Sequence, residues 1–178
     1  DGDLNGIIQS EINIHGNISK PDINGNILLS NISIPMFKTK ELNSKIMIFG
    51  NKANIERLNM DMNGVIIQMS SYVENFTSLP IVLSNFKVYS PSLRLTKLMN
   101  AMTMEVQKMD FMPVIIKNGI INVDDAIIDK LITTNLNGYF MLCPNGQFQI
   151  NDLEFKSAGG EVKGNLFFNM ITEKLGGQ

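Results

Sequence analysis

Residues 8–18 read Ile-Gln-Ser-Glu-Ile-Asn-Ile-His-Gly-Asn-Ile, and this alternation constrains the fold more than any other feature of the chain. Ile8, Ser10, Ile12, Ile14, Gly16 and Ile18 fall on one side of an extended backbone, with Gln9, Glu11, Asn13, His15 and Asn17 on the other. Successive side chains of a strand point to opposite faces, so the run predicts a half-buried β-strand. After Lys20-Pro21 the pattern resumes, with Ile23, Gly25, Ile27 and Leu29 set against Asn24, Asn26 and Leu28. Proline has no N–H for a ladder, which predicts strand starts or edges at Pro21 and Pro35.

The same period continues through Ile46 and Ile48, then Leu58, Met60 and Met62, then Val65, Ile67 and Met69. It returns at Ile81 and Leu83, Phe86 and Val88, Val114 and Ile116, and Leu136 to Leu142. Phe148 and Ile150, Leu153 and Phe155, and Val162 to Met170 complete the series. Asn63-Gly64, Asn118-Gly119 and Asn145-Gly146 carry the strongest short hairpin signal, whereas Asn24-Gly25 and Asn137-Gly138 sit inside strand patterns and predict bulges or bends. One segment breaks the period. Leu95, Leu98, Met99, Met102, Val106 and Met109 recur at helical spacing, with Ser90 or Ser92 as a cap near Pro91, which predicts an amphipathic helix over about Pro91–Met109. The predicted fold is mainly β: an antiparallel meander of roughly a dozen short strands with one helical interruption.

A chain of 178 residues suits a single β-rich region over 1–178. Its formal charge of −2 provides no basic patch for nucleic acid. The single cysteine, Cys143, forms no internal disulfide and is expected to be buried and inert; the single histidine, His15, builds no His-rich metal site. No apolar run reaches the roughly 20 residues that span a bilayer. The chain begins at Asp1 in strand-like sequence, so it is expected to be part of a longer protein. Any membrane anchor would then lie outside it, and an unpaired sheet edge would stand at one or both ends.

The chemistry-bearing residues are sparse. Asp124, Asp125 and Asp129 are the nearest approach to an acidic cluster, and they read as a solvated turn or a helix start before Ala126-Ile127-Ile128. Paired-carboxylate catalysis needs convergence in a cleft, and a calcium loop needs denser oxygen ligands around a central glycine. No nucleophile motif is recognisable. The sequons at Asn17, Asn31 and Asn75 arise readily in an Asn-rich chain and carry no weight. The chain is expected to be no enzyme and to use no cofactor or metal.

The apolar strand faces have two possible destinations: a closed core against another layer, or an open groove. Met60, Met62, Met69, Met99, Met102 and Met109 suit a surface that accepts varied apolar partners, and equally suit gaps in a core.

The order INIHGNISKPDINGNILLSNISIP resembles the repeat of AsmA-like and TamB-like bacterial envelope proteins. The stretch LPIVLSNFKVYSPSLRLTKLM is similar to that family's strand pair and short Leu-rich helix. The segment from Met112 to Met170, with its Gly punctuation, is similar to the family's C-terminal region. The resemblance implies an elongated, curled sheet with a taco-like groove. Its apolar concave face would hold phospholipid acyl chains in the periplasm, and it would support outer-membrane biogenesis beside envelope protein partners. The lipid-facing candidates are Ile12, Ile14, Ile27, Leu29, Met60, Met62, Ile67, Phe140, Phe148, Phe155, Leu166 and Phe168. A register slip of one residue would move them all to the other face. The alternative is a structural β-module of an envelope assembly that acts by protein–protein contact.

Overall fold

A computed structural model describes residues 5–17, 20–34, 37–62, 64–75, 77–94, 114–128, 130–169 and 174–177. The strands are β1 (Asn5–Asn17), β2 (Lys20–Ile34), β3 (Phe37–Phe49), β4 (Lys52–Met62), β5 (Val65–Glu74) and β6 (Ile81–Arg94). They continue as β7 (Val114–Ile128), β8 (Leu131–Leu142), β9 (Gln147–Ser157), β10 (Gly160–Asn169) and β11 (Lys174–Gly177). The described residues form one 11-stranded sheet, in which spatial order equals chain order. Among the described residues, every substantial contact between strands is with a hydrogen-bonded neighbour, so no second layer lies on either face.

The hairpins close with residues suited to left-handed backbone. Gly64 turns at φ 80° after Asn63, and its N–H donates to Asp61 Oδ1 at 2.8 Å. At the β9–β10 turn both Ala158 (φ 48°) and Gly159 (φ 80°) have positive φ, the two-residue geometry that matches strand twist. Pro21 occupies the second position of β2, outside the β3 ladder, as a residue without an N–H requires.

The strands are longer than the alternation predicted because several separate runs fuse across β-bulges. Ile81-Leu83 and Phe86-Val88 are both β6, interrupted at Asn85 with φ 50°. Phe148-Ile150 and Leu153-Phe155 are both β9, interrupted at Asp152 with φ 50°. Equivalent shifts occur in β8 at Asn135 (φ 54°), in β7 between Ile116 and Gly119, and in β4 between Ile55 and Leu58. Each extra residue reverses the face parity, so the apolar side chains return to the same face beyond it. Asn and Asp tolerate the left-handed region better than other non-glycine residues, which places them at these points.

Five expectations about the strands need correction. Asn118-Gly119 is not a hairpin but lies inside β7. There the Asn85 N–H donates to Asn118 Oδ1 at 2.8 Å and Asn118 Nδ2 donates to Asn85 Oδ1 at 2.9 Å, joining two adjacent bulges. Asp124 and Asp125 belong to β7 rather than to a turn or helix start, and Tyr89 Oη donates to Asp124 Oδ2 at 2.6 Å. The sheet is not wholly antiparallel, since β6 and β7 pair in parallel. Parallel neighbours need a long crossover, and 95–113 supply the length. Pro91–Arg94, the start of the predicted helix, are strand, and the rest of that helix lies outside the described residues. Gly25 also departs from expectation: no bulge occurs there. A Cβ at Gly25 would come within 2.4 Å of the Glu11 carbonyl oxygen, so β1 and β2 approach closely at that point.

Candidate functional site: an apolar face across the sheet

Antiparallel partners share a face, so the register defines where each side chain belongs. One cross-strand row begins Ile14, Ile23, Ile48, Ala53, Val73 and Leu83. It continues through the positions of Ile116, Leu142, Phe148, Phe168 and Leu175. Each of the 11 described strands has an apolar residue at its register position in this row. At about 4.8 Å between neighbouring strands the row runs for about 48 Å along the sheet. A second row holds Ile8, Leu29, Leu42, Met60 and Ile67. The distance from Ile8 to Ile14 along β1 makes the face about 20 Å wide.

The register places all the sequence candidates on this face. Ile12, Ile14 and Ile27 enter it from β1 and β2, and Met60 and Ile67 from β4 and β5, while the backbone positions of Leu29 and Met62 pair into the same rows. Phe140, Phe148, Phe155 and Leu166 enter it from β8, β9 and β10, and the backbone position of Phe168 pairs with that of Phe148. Burial varies across it. Val65 is 1% exposed, Ile67 8% and Phe140 7%, whereas Ile12 is 49% and Ile14 66% exposed on β1. The middle of the sheet screens its side chains by in-plane packing, and its margin does not.

Three clusters form the packed middle. Val65 and Ile67 gather Met60, Met69, Val88 and Leu93. Ile116, Phe140 and Leu142 gather Leu83, Phe86, Phe148 and Ile150, while Val123, Ala126 and Leu136 gather Leu153 and Phe155. Phe140 is the keystone. Its ring lies over Gly119 of β7, where a Cβ would stand 2.6 Å from the ring, and meets Phe86 edge-on with centroids 5.7 Å apart. Glycine on β7 therefore lets aromatic rings from β6 and β8 touch across an intervening strand.

Polar intrusions on this face are few. Ser71 Oγ donates to the Ser84 carbonyl at 3.3 Å and Ser90 Oγ to that of Ile66 at 2.7 Å. Thr133 Oγ1 donates to the Ala126 carbonyl at 3.3 Å. Ser44 is buried and its Oγ has no hydrogen-bond partner among the described residues. Backbone acceptors thus absorb most of the hydroxyls, which leaves the surface chemically apolar.

The opposite face is mainly polar and charged. Lys117 Nζ meets Glu74 Oε2 at 2.9 Å, and that hydrogen bond holds the Glu74 carboxyl below its usual range despite partial desolvation. Lys163 meets Glu154 at 2.9 Å, which raises the lysine's pKa, and Asp124 likewise raises that of Tyr89. Lys45 pairs with Glu56. His15 is exposed among Gln9, Glu11 and Asn13. Cys143 is half-buried in the β8–β9 turn, less enclosed than expected. Among the described residues no group of His, Cys, Asp and Glu could hold a metal ion, and no helix is long and apolar enough to cross a membrane.

No protein-family model, curated protein or solved structure matches this chain.

Proposed function

We propose that this chain is a non-enzymatic lipid-binding module of the bacterial cell envelope, which holds phospholipid acyl chains along its apolar sheet face. One observation carries the reading: the apolar row unbroken through all 11 strands, with no covering layer among the described residues. Water against such a surface is costly, and each CH₂ moved from water onto it gains about 0.8 kcal/mol. A bilayer core about 30 Å thick holds two leaflets, so one acyl chain reaches about 15 Å. That length fits across the roughly 20 Å breadth of the face, and the headgroup would stay wet beyond its margin. The bulges supply a physical means of curling the sheet around such chains, since each bends its strand and increases the local twist. The curled groove, the periplasmic setting and a role in outer-membrane biogenesis belong to this same reading, as does the resemblance to AsmA-like and TamB-like proteins.

The mechanism is passive. Acyl chains lie on side chains that offer few polar atoms, and lipid moves along the row without covalent chemistry. The test is thin-layer chromatography and native mass spectrometry of the protein purified from a bacterial host without added lipid. Copurified phospholipid is expected. A lipid-free protein that also extracts none from vesicles would overturn the proposal and leave the structural-module reading in its place.

A further inference from the structure

We propose that the polar face of β2–β4 carries a second binding site, for a small polyhydroxylated anion of the sugar-acid or sugar-phosphate class. The site is a depression of about 380 Å³ lined by Asn26, Asn43, Lys45, Glu56, Arg57 and Asn59. That volume lies at the small end of the roughly 300–1,000 Å³ range of ligand pockets, which suits a molecule of monosaccharide size.

The β4 bulge builds it. Ile55 and Leu58 both reach the apolar face, so the two residues between them, Glu56 and Arg57, point the opposite way. Regular alternation would have sent one of the two to each face. Bulges re-aim side chains in this manner beside functional sites. Register then surrounds the pair with Asn26 opposite Lys45, Lys45 opposite Arg57, and Asn43 opposite Asn59.

The charges are not balanced within the depression. Glu56 is taken by Lys45, and Arg57 has no ion pair among the described residues. One positive charge is left over, in a planar group that receives carboxylate or phosphate oxygens in pairs. The amides of Asn26 and Asn43 add neutral donors and acceptors suited to hydroxyl groups. Asn59 lines the same depression, and its Oδ1 is buried without a hydrogen-bond donor among the described residues. An anion for Arg57 and adjacent hydroxyls for the asparagines define the ligand class. The site lies on the face opposite the apolar row, so its test is independent of lipid binding.

The experiment is a titration of the ¹⁵N-labelled chain with sodium glucuronate, glucose 6-phosphate, glucose and sodium acetate, read from the Arg57 Nε–H and the Asn43 and Asn59 side-chain amide signals. Saturable shifts are expected with glucuronate or glucose 6-phosphate, the tighter of the two naming the preferred anion. Glucose lacks the charge and acetate the hydroxyls, so each is expected to bind about tenfold more weakly or worse. Arg57→Gln should weaken the better ligand by about tenfold or more, while Lys87→Gln, elsewhere on the polar face, should leave it unchanged. Arg57 is exposed, so its replacement is compatible with folding; Arg57→Lys, which keeps the charge but loses the paired donors, should fall between. Equal binding of acetate, a response that does not saturate, or full affinity in Arg57→Gln would each overturn the proposal.

Discussion

Replacing Gly119 by alanine tests whether the apolar face is held together by the Phe140 ring. A Cβ at that position would lie 2.6 Å from Cε1 and Cζ of Phe140 and 2.7 Å from Cε2. Carbon atoms in contact prefer about 3.5–4.0 Å, so the ring must retreat by about 1 Å. Retreat spoils the edge-on contact with Phe86, whose centroid is 5.7 Å away at 71°. Overpacking of this kind costs about 1–3 kcal/mol, and replacing a strand glycine returns about 0.5–1 kcal/mol of chain entropy. A net loss of about 1 kcal/mol, and at most about 2.5 kcal/mol, is expected. Urea unfolding followed by far-UV circular dichroism measures it. A double-mutant cycle with Phe140→Leu isolates the cause, because a smaller partner that avoids the new methyl makes the second Gly119→Ala substitution less costly. A neutral or stabilised Gly119→Ala, or strict additivity with Phe140→Leu, would show that the ring is not seated on β7 as described.

Ile14→Asp should reduce copurified phospholipid, while His15→Asp, one residue along on the other face, should not; Ile14 is already 66% exposed, so folding is preserved in both and lipid analysis decides. Asn135→Val places a β-branched residue at φ 54° and should destabilise by about 1–2 kcal/mol, whereas Asn135→Gly should be close to neutral by the same urea measurement. The Glu74 carboxyl is depressed by Lys117, so this pair stabilises the fold above the unfolded value of 4.5 and loses its contribution as pH falls through the lower folded value; Glu74→Gln should flatten that acid limb in a pH series of unfolding curves. Tyr89 has its pKa raised by Asp124, so its contribution is present below 10.0 and lost as pH rises through the higher folded value, a loss that Tyr89→Phe should remove.

Strand identity was legible because alternation is local: Ile12 and Ile14 state their face without reference to the rest of the chain. The bulges also leave a mark in the sequence. Ile81 and Leu83 are odd-numbered, Phe86 and Val88 even-numbered, and the change of parity straddles Asn85. Asp152 marks the same change between Ile150 and Leu153. Read as strand boundaries, such switches divide one long strand into two short ones. The Asn118-Gly119 dipeptide misled for a related reason: the preference for left-handed backbone that makes a hairpin also makes a bulge, and only the partner Asn85, far along the chain, distinguishes them. The parallel join of β6 to β7 and the unbroken apolar row depend on inter-strand register, which no short window contains. The depression around Arg57 had a local signal, the odd spacing from Ile55 to Leu58, but its asparagines come from β2 and β3 and converge only in the folded sheet.

Because each strand pairs only with its neighbours in chain order, the molecule behaves energetically as a line. Stability in such an array is close to a sum of strand terms and nearest-neighbour junction terms, as in solenoid repeats. Opening at a margin removes one junction at a time, so amide exchange should be fastest in β1 and slow progressively towards the ladders of β5–β8. A hairpin could be inserted or deleted between existing ones without re-threading the others. Length in this architecture is thus an adjustable quantity, open to change by duplication, while the cross-section set by strand length and bulge position stays constant.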